Sequence, residues 1–302
     1  MNTGPISTAS AGLWSAPPGD GSTPRRYVIA DVFTNTPLQG NQLAVFTDGR
    51  GLPAEQMQRA ARELNLSETV FFLPPERDGD LRIRIFTPAS ELPFAGHPVL
   101  GSAFLAGELL QAAEVRLETG AGVVPVVLRR QGGQIVSGRM EQPVPEWAPF
   151  ERPERLLAAL GVADSGLPVE AYRNGPRHVL VAVGDEAAVA ALRPDLGALA
   201  DLGEIGVSCF AGAGLRWKTR MFAPGLGVPE DPATGSAAGP LAIHLARHGR
   251  TGFGDEIEIR QGAEIGRPSV LFARVDGSPQ RVERVLVGGS AVVVARGEYR
   301  LG

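Results

Sequence analysis

Two spacings of hydrophobic residues recur along this chain, and together they predict a protein that mixes helices with strands. Residues 52–64 carry apolar side chains at helical spacing, namely Met57, Ala60, Ala61 and Leu64. Residues 81–86 alternate apolar and polar side chains, which is typical of a half-buried strand. Similar patterns predict strands at 27–33, 67–73, 114–119, 122–130, 133–140, 178–183, 214–222, 256–260, 270–275 and 291–297, and helices at 97–110, 155–160 and 239–249.

A phrase of the form E-x-P-x-x-G occurs twice, at Glu91–Gly96 and at Glu230–Gly235, with an offset of 139 residues. Each copy follows an R-x-F-x-P run and precedes a predicted helix. At the same offset, the predicted strand at 67–71 aligns with residues 206–210. Three features in one order indicate an ancient duplication. Chance similarity between two segments of sheet and helix is the alternative.

The duplication divides the chain into a tail and two halves. Residues 1–24 are rich in Gly, Pro, Ser and Thr and predict a disordered tail. The N-terminal half is expected at 25–140, with 286–302 as a candidate strand that completes it, and the C-terminal half at 141–285. Two similar halves are expected to meet across a cleft, where small ligands usually bind.

The two glycine loops are candidate anion sites, because a helix N-terminus presents free N–H groups and the positive end of the helix dipole. Gly96–His97 and Gly235–Ser236 would each provide one site suited to a carboxylate. The structural alternative is that Thr234 or Ser236 caps a helix and the glycines permit tight turns. Pro240 would remove a hydrogen bond inside a helix, so a helix start at Pro240 is a further alternative.

The differences between the two copies supply the acid–base groups. Glu68 aligns with Val207 and Asp231 aligns with Leu92, so each half offers one carboxylate with an apolar counterpart. The apolar neighbours of Glu68 in SETVFF would disfavour its charged form, which suits a group that takes up protons. The alternative interpretation of Glu68 is an exposed glutamate at the end of a strand.

Composition and charge exclude several classes of protein. The net charge of −4 and the lack of a long basic cluster give no case for nucleic-acid binding. No stretch approaches the ~18 apolar residues of a membrane span, so no membrane partner is expected. Cys209 is the single cysteine, which excludes a disulfide within the chain and favours a cytoplasmic location. The pair Arg25–Arg26 leaves twin-arginine export as an alternative, although the apolar run after it is short and strand-like.

The sequence does not contain the motifs of several other kinds of catalytic site. Lys218, the only lysine, falls in an alternating strand where a solvated face is expected rather than a pyridoxal phosphate Schiff base. No phosphate loop, dinucleotide fingerprint or nucleophile elbow occurs. His244 and His248 are four residues apart on one helix, but without a nearby third ligand motif no metal site is predicted. Cys209 lies among apolar residues and is expected in the core.

Four segments resemble the PhzF family, which is named for phenazine biosynthesis: YVIADVFTNTPLQGNQLAVF, LNLSETVFF, RIFTPASELPFAGHPVLG and EDPATGSAAGPLAIHLARHG. The resemblance runs from about Arg26 to the C-terminus and includes NGPRHVLV, CFAGAGLRWKTRMF and EIGRPSVLFARV. It implies the α+β diaminopimelate-epimerase-like fold, with two pseudo-symmetric halves that are each a curved, mostly antiparallel sheet wrapped around a central helix. Epimerases of that fold use two cysteines as paired bases, whereas this chain has only Cys209, outside both glycine motifs.

The resemblance also implies functional residues. They are Glu68, His97 and Asp231 as catalytic residues and Ser67, Gly96, Gly235 and Ser236 as substrate-binding residues. The implied reaction isomerises trans-2,3-dihydro-3-hydroxyanthranilic acid to an enol that tautomerises to an aminoketone. No cofactor or metal is implied, and a homodimer is expected because the family is usually dimeric.

Three points stay open beside this resemblance. An isomerase or epimerase of the same fold that acts on another amino or cyclic acid is one alternative. A non-catalytic protein that binds small acids is the other. Gln42 departs from the proline that commonly follows Gly-Asn in the family, and it is expected to affect a turn.

Overall fold

The computed structural model describes residues 24–301, and the chain folds into two compact units. Unit 1 takes the chain up to Leu38, then Gln42–Glu141 and the C-terminal segment from Gly288. Unit 2 consists of Gln39–Asn41 and Gln142–Val287. Apart from Pro24, the predicted tail at 1–24 lies outside the described residues.

The described residues form eighteen strands and six α-helices. The strands are β1 (Arg25–Val32), β2 (Asn41–Phe46), β3 (Glu68–Leu73), β4 (Leu81–Phe86), β5 (Glu91–Leu92), β6 (Glu114–Thr119), β7 (Gly122–Gln131), β8 (Gln134–Gln142), β9 (Glu146–Pro149), β10 (Glu170–Arg173), β11 (Arg177–Ala182), β12 (Gly206–Ala213), β13 (Arg216–Ala223), β14 (Val228–Asp231), β15 (Glu256–Gln261), β16 (Ser269–Ser278), β17 (Arg281–Gly289) and β18 (Ala291–Tyr299). The helices are α1 (Ala54–Leu64), α2 (Gly96–Leu110), α3 (Pro153–Leu160), α4 (Glu186–Ala191), α5 (Leu196–Ala200) and α6 (Gly235–Arg247).

The two units repeat one strand order. In unit 1, β2 pairs parallel with β3, β3 antiparallel with β4, β4 parallel with β6, and β6 antiparallel with β7. In unit 2, β11, β12, β13, β15 and β16 pair in the same sequence of parallel and antiparallel steps. A short strand, β5 or β14, adds to the corresponding β4 or β13. The α+β fold with two similar halves is confirmed.

One long helix forms the centre of each unit. Every residue of α2 from Gly96 to Gly107 is buried, and so is every residue of α6 from Gly235 to Ala246. A helix buried on all sides needs small residues where the strands approach. A Cβ atom at Gly101 would come 2.6 Å from Leu43, and one at Gly239 would come 2.5 Å from Val285. These glycines therefore let the sheet of each unit close around its helix.

The strand register corrects one detail of the predicted repeat. Phe86 and Phe222 are equivalent residues of the two R-x-F-x-P runs, and they pair with Thr69 and Val207, respectively. Val207 therefore corresponds to Thr69, so the counterpart of Glu68 is Gly206 rather than Val207. The offset of 139 residues holds at the glycine loops but is one residue too long at this strand.

Helix α6 corrects a second expectation. It begins at Gly235 and contains Pro240 in its interior, so the alternative start at Pro240 was wrong.

The predicted helix near 52–64 is confirmed as α1, with Met57, Ala60 and Ala61 buried. Cys209 is 0% exposed, as predicted for the core, and burial raises the pKa of its thiol to about 12. Lys218 does not lie on a solvated face, because its ammonium group pairs with Glu264 at 2.6 Å.

A polar cluster joins the end of α6 to strand β10. One carboxylate oxygen of Glu170 accepts hydrogen bonds from Tyr172 (2.9 Å) and Arg247 (2.7 Å) and lies 3.1 Å from His244 Nδ1 and 3.2 Å from His248 Nε2. Burial alone would raise the pKa of Glu170, but these donors outweigh it and hold that pKa below its usual range. The charged form of Glu170 therefore stabilises the fold.

The cluster predicts a pH-dependent loss of stability in Glu170→Gln. Near pH 7, this variant leaves the buried end of Arg247 without its counter-charge, so the free energy of unfolding should fall by about 3 kcal/mol. A group with a lowered pKa contributes stability above its unfolded pKa, and the contribution disappears as the pH falls. The difference between variant and wild type should therefore shrink between pH 5 and pH 3 in urea unfolding. Glu154→Gln, at an exposed site in α3, should show no such difference; a difference that stays constant over this range would contradict the role of Glu170.

Candidate active site

Both central helices begin without a capping side chain. The residue before α2 is Ala95 and the residue before α6 is Thr234, and neither donates or accepts a side-chain cap hydrogen bond in the described structure. By contrast, Asp185 and Asp195 cap α4 and α5 through their carboxylates. The first N–H groups of a helix have no acceptor within the helix. The interpretation of Thr234 as a cap is therefore wrong, and the N–H groups at Gly96 and Gly235 suit an anion.

Unit 1 brings Glu68 and His97 together. Glu68 is the first residue of β3, and His97 is the second residue of α2. The Nδ1 atom of His97 lies 3.3 Å from Glu68 Oε2, and its Nε2 atom lies 3.3 Å from the carbonyl oxygen of Gln42. Ser67 directly precedes Glu68 and is half-buried. Glu68 is thus not an exposed glutamate, since its side chain is 15% exposed.

The surroundings of His97 define where its proton lies. Burial lowers the pKa of His97 to about 3, so the imidazole is neutral at pH 7 and carries one proton. A carbonyl oxygen only accepts, so the contact with Gln42 favours the tautomer that carries this proton on Nε2. The Nδ1 atom then presents a lone pair to Glu68. The contact is therefore not an ion pair at neutral pH.

Gln42 does not lie in a turn, as the sequence had indicated. It is the second residue of β2, and its side chain is exposed. Its backbone carbonyl is the group that faces His97. The expectation of an effect on a turn was therefore wrong, because the contact with the site is made by the main chain.

Asp231 is fixed by three polar side chains of unit 2. Asn41 donates from Nδ2 to Asp231 Oδ1 at 2.8 Å, and Thr234 donates from its hydroxyl to Oδ2 at 2.6 Å. Gln261 donates to the backbone carbonyl of Asp231 at 2.7 Å and to the Thr234 hydroxyl at 3.0 Å. Asp231 is 7% exposed. The carboxylate is held at a defined place beside the start of α6.

Ser236 is held by two residues of one short segment, Asn174–His178. Asn174 donates from Nδ2 to the carbonyl oxygen of Ser236 at 2.9 Å, and His178 Nε2 lies 3.0 Å from the Ser236 hydroxyl oxygen. Pro240 explains the first bond. The carbonyl of Ser236 would normally accept from the N–H four residues later, and Pro240 has none. Asn174 supplies the missing donor.

Glu68, His97, Asp231 and Ser236 were predicted from the sequence as site residues, and the side chains that hold them were not. The supports are Asn41, Asn174, His178, Thr234 and Gln261. Asn174 and His178 lie in NGPRHVLV, one of the segments that resemble the family, and Pro240 was the signal that a side chain had to serve the Ser236 carbonyl. Whether the two glycine loops face each other stays a prediction.

One group of residues has the composition of a metal site. Ligand atoms of Glu170, His244 and His248 lie within 4.8 Å of one another, so a third ligand does accompany the histidine pair. However, Arg247 donates to Glu170 at 2.7 Å and already supplies the positive charge that a metal ion would bring. The cluster is therefore explained as a structural ion network. Within residues 24–301, no helix has the length and apolar composition needed to cross a bilayer.

Comparisons with known proteins agree in one family. The family model described as phenazine biosynthesis-like protein, PhzC-PhzF, matches residues 30–297. A trans-2,3-dihydro-3-hydroxyanthranilate isomerase of Pseudomonas aeruginosa is 56% identical over 276 residues, which cover 91% of this chain and 99% of that protein. A Bacillus anthracis phenazine biosynthesis protein of the PhzF family has a similar structure, with a TM-score of 0.79 and 26% identity over 91% of this chain and 99% of its own.

A more distant structure shares the fold alone. The hydroxyproline epimerase of Agrobacterium vitis aligns with a TM-score of 0.60 over 91% of this chain and 92% of its own, at 14% identity. The similarity agrees with the epimerase-like architecture expected from the sequence.

The support of Ser236 by Asn174 predicts a coupling with Pro240. Asn174→Ala should lower the free energy of unfolding by about 1–2 kcal/mol, because a buried carbonyl loses its donor. In a Pro240→Ala background, the new N–H of residue 240 can serve the same carbonyl, so Asn174→Ala should cost less than half as much. Urea unfolding of the two single variants and the double variant measures this coupling. An equal cost in both backgrounds would show that Asn174 does not compensate for Pro240.

Proposed function

This chain belongs to the PhzC-PhzF family of phenazine biosynthesis-like proteins, and we propose that it is an isomerase that acts on trans-2,3-dihydro-3-hydroxyanthranilic acid. The relative from Pseudomonas aeruginosa carries that activity in its name and matches nearly its whole length. The observation that carries the proposal is the contact of Glu68 Oε2 with His97 Nδ1 at 3.3 Å. It joins a carboxyl group to a neutral imidazole whose lone pair faces it.

We propose Glu68 as the group that moves the proton. Its carboxylate takes the proton from the ring carbon that bears the hydroxyl, and the C–H electrons enter the conjugated system. The protonated Glu68 then donates to His97 Nδ1, which stabilises the form that exists between the two steps. Return of the proton further along the conjugated system gives the enol, which tautomerises to the aminoketone. The reaction moves one proton within the substrate, so its balance needs no oxidant or reductant.

We propose that unit 2 holds the polar groups of the substrate. The hydroxyl of Ser236 and the N–H groups at Gly235 and Ser236 suit a carboxylate, because they combine hydrogen-bond donors with the positive end of α6. Asp231 suits the amino group, since its carboxylate is held in place by Asn41 and Thr234. In unit 1, we propose substrate contacts for Gly96 and Ser67. The homodimer and the cytoplasmic location remain predictions.

The thiol chemistry of epimerases has no support in this chain. Cys209 is the only cysteine, is fully buried and has a pKa raised to about 12, so it is a poor base at neutral pH. A protein that only binds small acids would gain nothing from a carboxylate such as Glu68 near an anion. A thiol-dependent epimerase and a protein that only binds small acids are therefore weaker alternatives, and an isomerase of the same fold that acts on another amino or cyclic acid stays an alternative.

The proposed role of Glu68 predicts a large loss of turnover in Glu68→Gln. Glutamine keeps the shape of the side chain but cannot take up the proton. General-base catalysis typically contributes ~10²–10⁴-fold, so kcat on dihydro-hydroxyanthranilate should fall at least 100-fold while ligand affinity largely persists.

Glu114→Gln is the matched control for this experiment. Glu114 is also the first residue of a strand, and it is exposed. Its variant should keep wild-type kcat. Turnover of Glu68→Gln within about tenfold of wild type would exclude Glu68 as the base and make Asp231 the candidate.

The proposed role of Asp231 predicts weaker binding of an aromatic amino acid. Titration with 3-hydroxyanthranilate should show saturable binding to the wild type and a Kd about tenfold higher or more for Asp231→Ala, because a hydrogen bond to a charged group is lost. Asp201→Ala, at an exposed site after α5, should bind like the wild type. Unchanged affinity in a folded Asp231→Ala protein would remove Asp231 from substrate binding.

A further inference from the structure

The strand position of His178 in unit 2 corresponds to a position in unit 1 that holds no proposed catalytic residue. Glu68 lies beside Leu43 on the neighbouring parallel strand, and Gly206, its counterpart, lies beside His178. His178 thus corresponds to Leu43 by register. In unit 1 the second residue of the central helix, His97, contacts the carboxyl group of Glu68. In unit 2 the second residue of the helix, Ser236, contacts His178 instead.

Gly206 leaves the space that the imidazole of His178 needs to contact Ser236. A Cβ atom at Gly206 would come 3.1 Å from His178 Nδ1, closer than an ordinary van der Waals contact. Any residue with a side chain at 206 would press on the imidazole. Unit 2 has Gly206 where unit 1 has the carboxyl group of Glu68, and the imidazole of His178 occupies the space beside it. The imidazole fits there only because residue 206 has no side chain.

The surroundings of His178 define which nitrogen carries its proton. His178 is 2% exposed, and burial lowers its pKa to about 4, so the ring is neutral at pH 7 with one N–H. Among residues 24–301, Nδ1 has no hydrogen-bond partner, and it faces the backbone at Gly206. A buried N–H without an acceptor is rarer than an under-satisfied acceptor, and a lone pair tolerates nearby C–H groups. The proton therefore belongs on Nε2, which contacts Ser236.

We propose that His178 is a positioning residue that donates its Nε2–H to the Ser236 hydroxyl oxygen and thereby leaves the hydroxyl proton of Ser236 for a ligand carboxylate. A serine hydroxyl has one proton. If His178 accepted that proton, Ser236 would present only lone pairs to the carboxylate and would repel it. Asn174 holds the carbonyl of the same residue, so both polar ends of Ser236 are fixed. The role of the carboxylate rests on the proposed function.

The first test measures the tautomer in the free protein and does not depend on the substrate. The chain has four histidines, so side-chain ¹⁵N NMR at neutral pH gives few signals, and comparison with His178→Gln assigns that of His178. We expect a neutral ring protonated on Nε2. A neutral ring protonated on Nδ1, or a charged ring, would overturn the proposal.

The second test separates positioning from folding with two ligands. One is 3-hydroxyanthranilate, and the other is 2-aminophenol, which lacks the carboxylate. His178→Leu removes the donor and should raise the Kd of 3-hydroxyanthranilate about tenfold while that of 2-aminophenol changes less than threefold. His178→Gln can place an N–H near the position of Nε2 and should restore the first affinity to within about threefold of wild type.

Ser236→Ala tests whether His178 acts on ligand binding through the hydroxyl of Ser236. In that background, His178→Leu should weaken 3-hydroxyanthranilate binding no further, because the hydroxyl through which His178 acts is gone. Equal losses for both ligands, or additive losses in the double variant, would show that His178 is only structural. If the wild type binds neither ligand, the proposed function fails, and the tautomer measurement still decides the state of His178.

Discussion

Burial of a central helix on all sides is the constraint on which each unit depends. Such a helix excludes water, so its backbone groups must find partners in the protein, and strands can approach it only where residues are small. Gly101 and Gly239 meet the second requirement. At the starts of these helices no side chain caps Gly96 or Gly235 in the described structure, so the first N–H groups depend on another acceptor. The starts of the two central helices are thus places that suit an anionic ligand.

The same constraint explains why a proline is tolerated inside α6. Pro240 leaves the carbonyl of Ser236 without its helical donor, and a buried carbonyl without a donor would cost about 1–3 kcal/mol. Asn174 fills that position from a neighbouring loop. The hydrogen bond that Pro240 cannot donate thus leaves the Ser236 carbonyl to Asn174, which holds Ser236 at the start of α6. The segment that carries Asn174 also brings His178 to the hydroxyl of the same serine.

The two units share one strand order but differ in their chemistry. Register places Glu68 and Gly206 at equivalent sites, with His97 and Ser236 as the helix residues beside them. Unit 1 presents a carboxyl group and a neutral imidazole, a combination suited to moving a proton. Unit 2 presents a hydroxyl, a fixed carboxylate and the N–H groups of a helix start, a combination suited to holding polar ligand groups. One strand order therefore supports two kinds of site.

The sequence by itself predicted most of the elements and named the candidate site residues. Helical spacing gave α1 with its buried Met57, and the repeated E-x-P-x-x-G phrase gave the two helix starts, because these signals are local. Only the tertiary structure decided that Gly206 is the counterpart of Glu68, since cross-strand register depends on pairing partners far apart in the chain. It also revealed Asn174 and His178 as supports of Ser236. A side chain that serves another residue's carbonyl or hydroxyl about 60 positions away leaves no periodic signal, because its role is defined by distance in space.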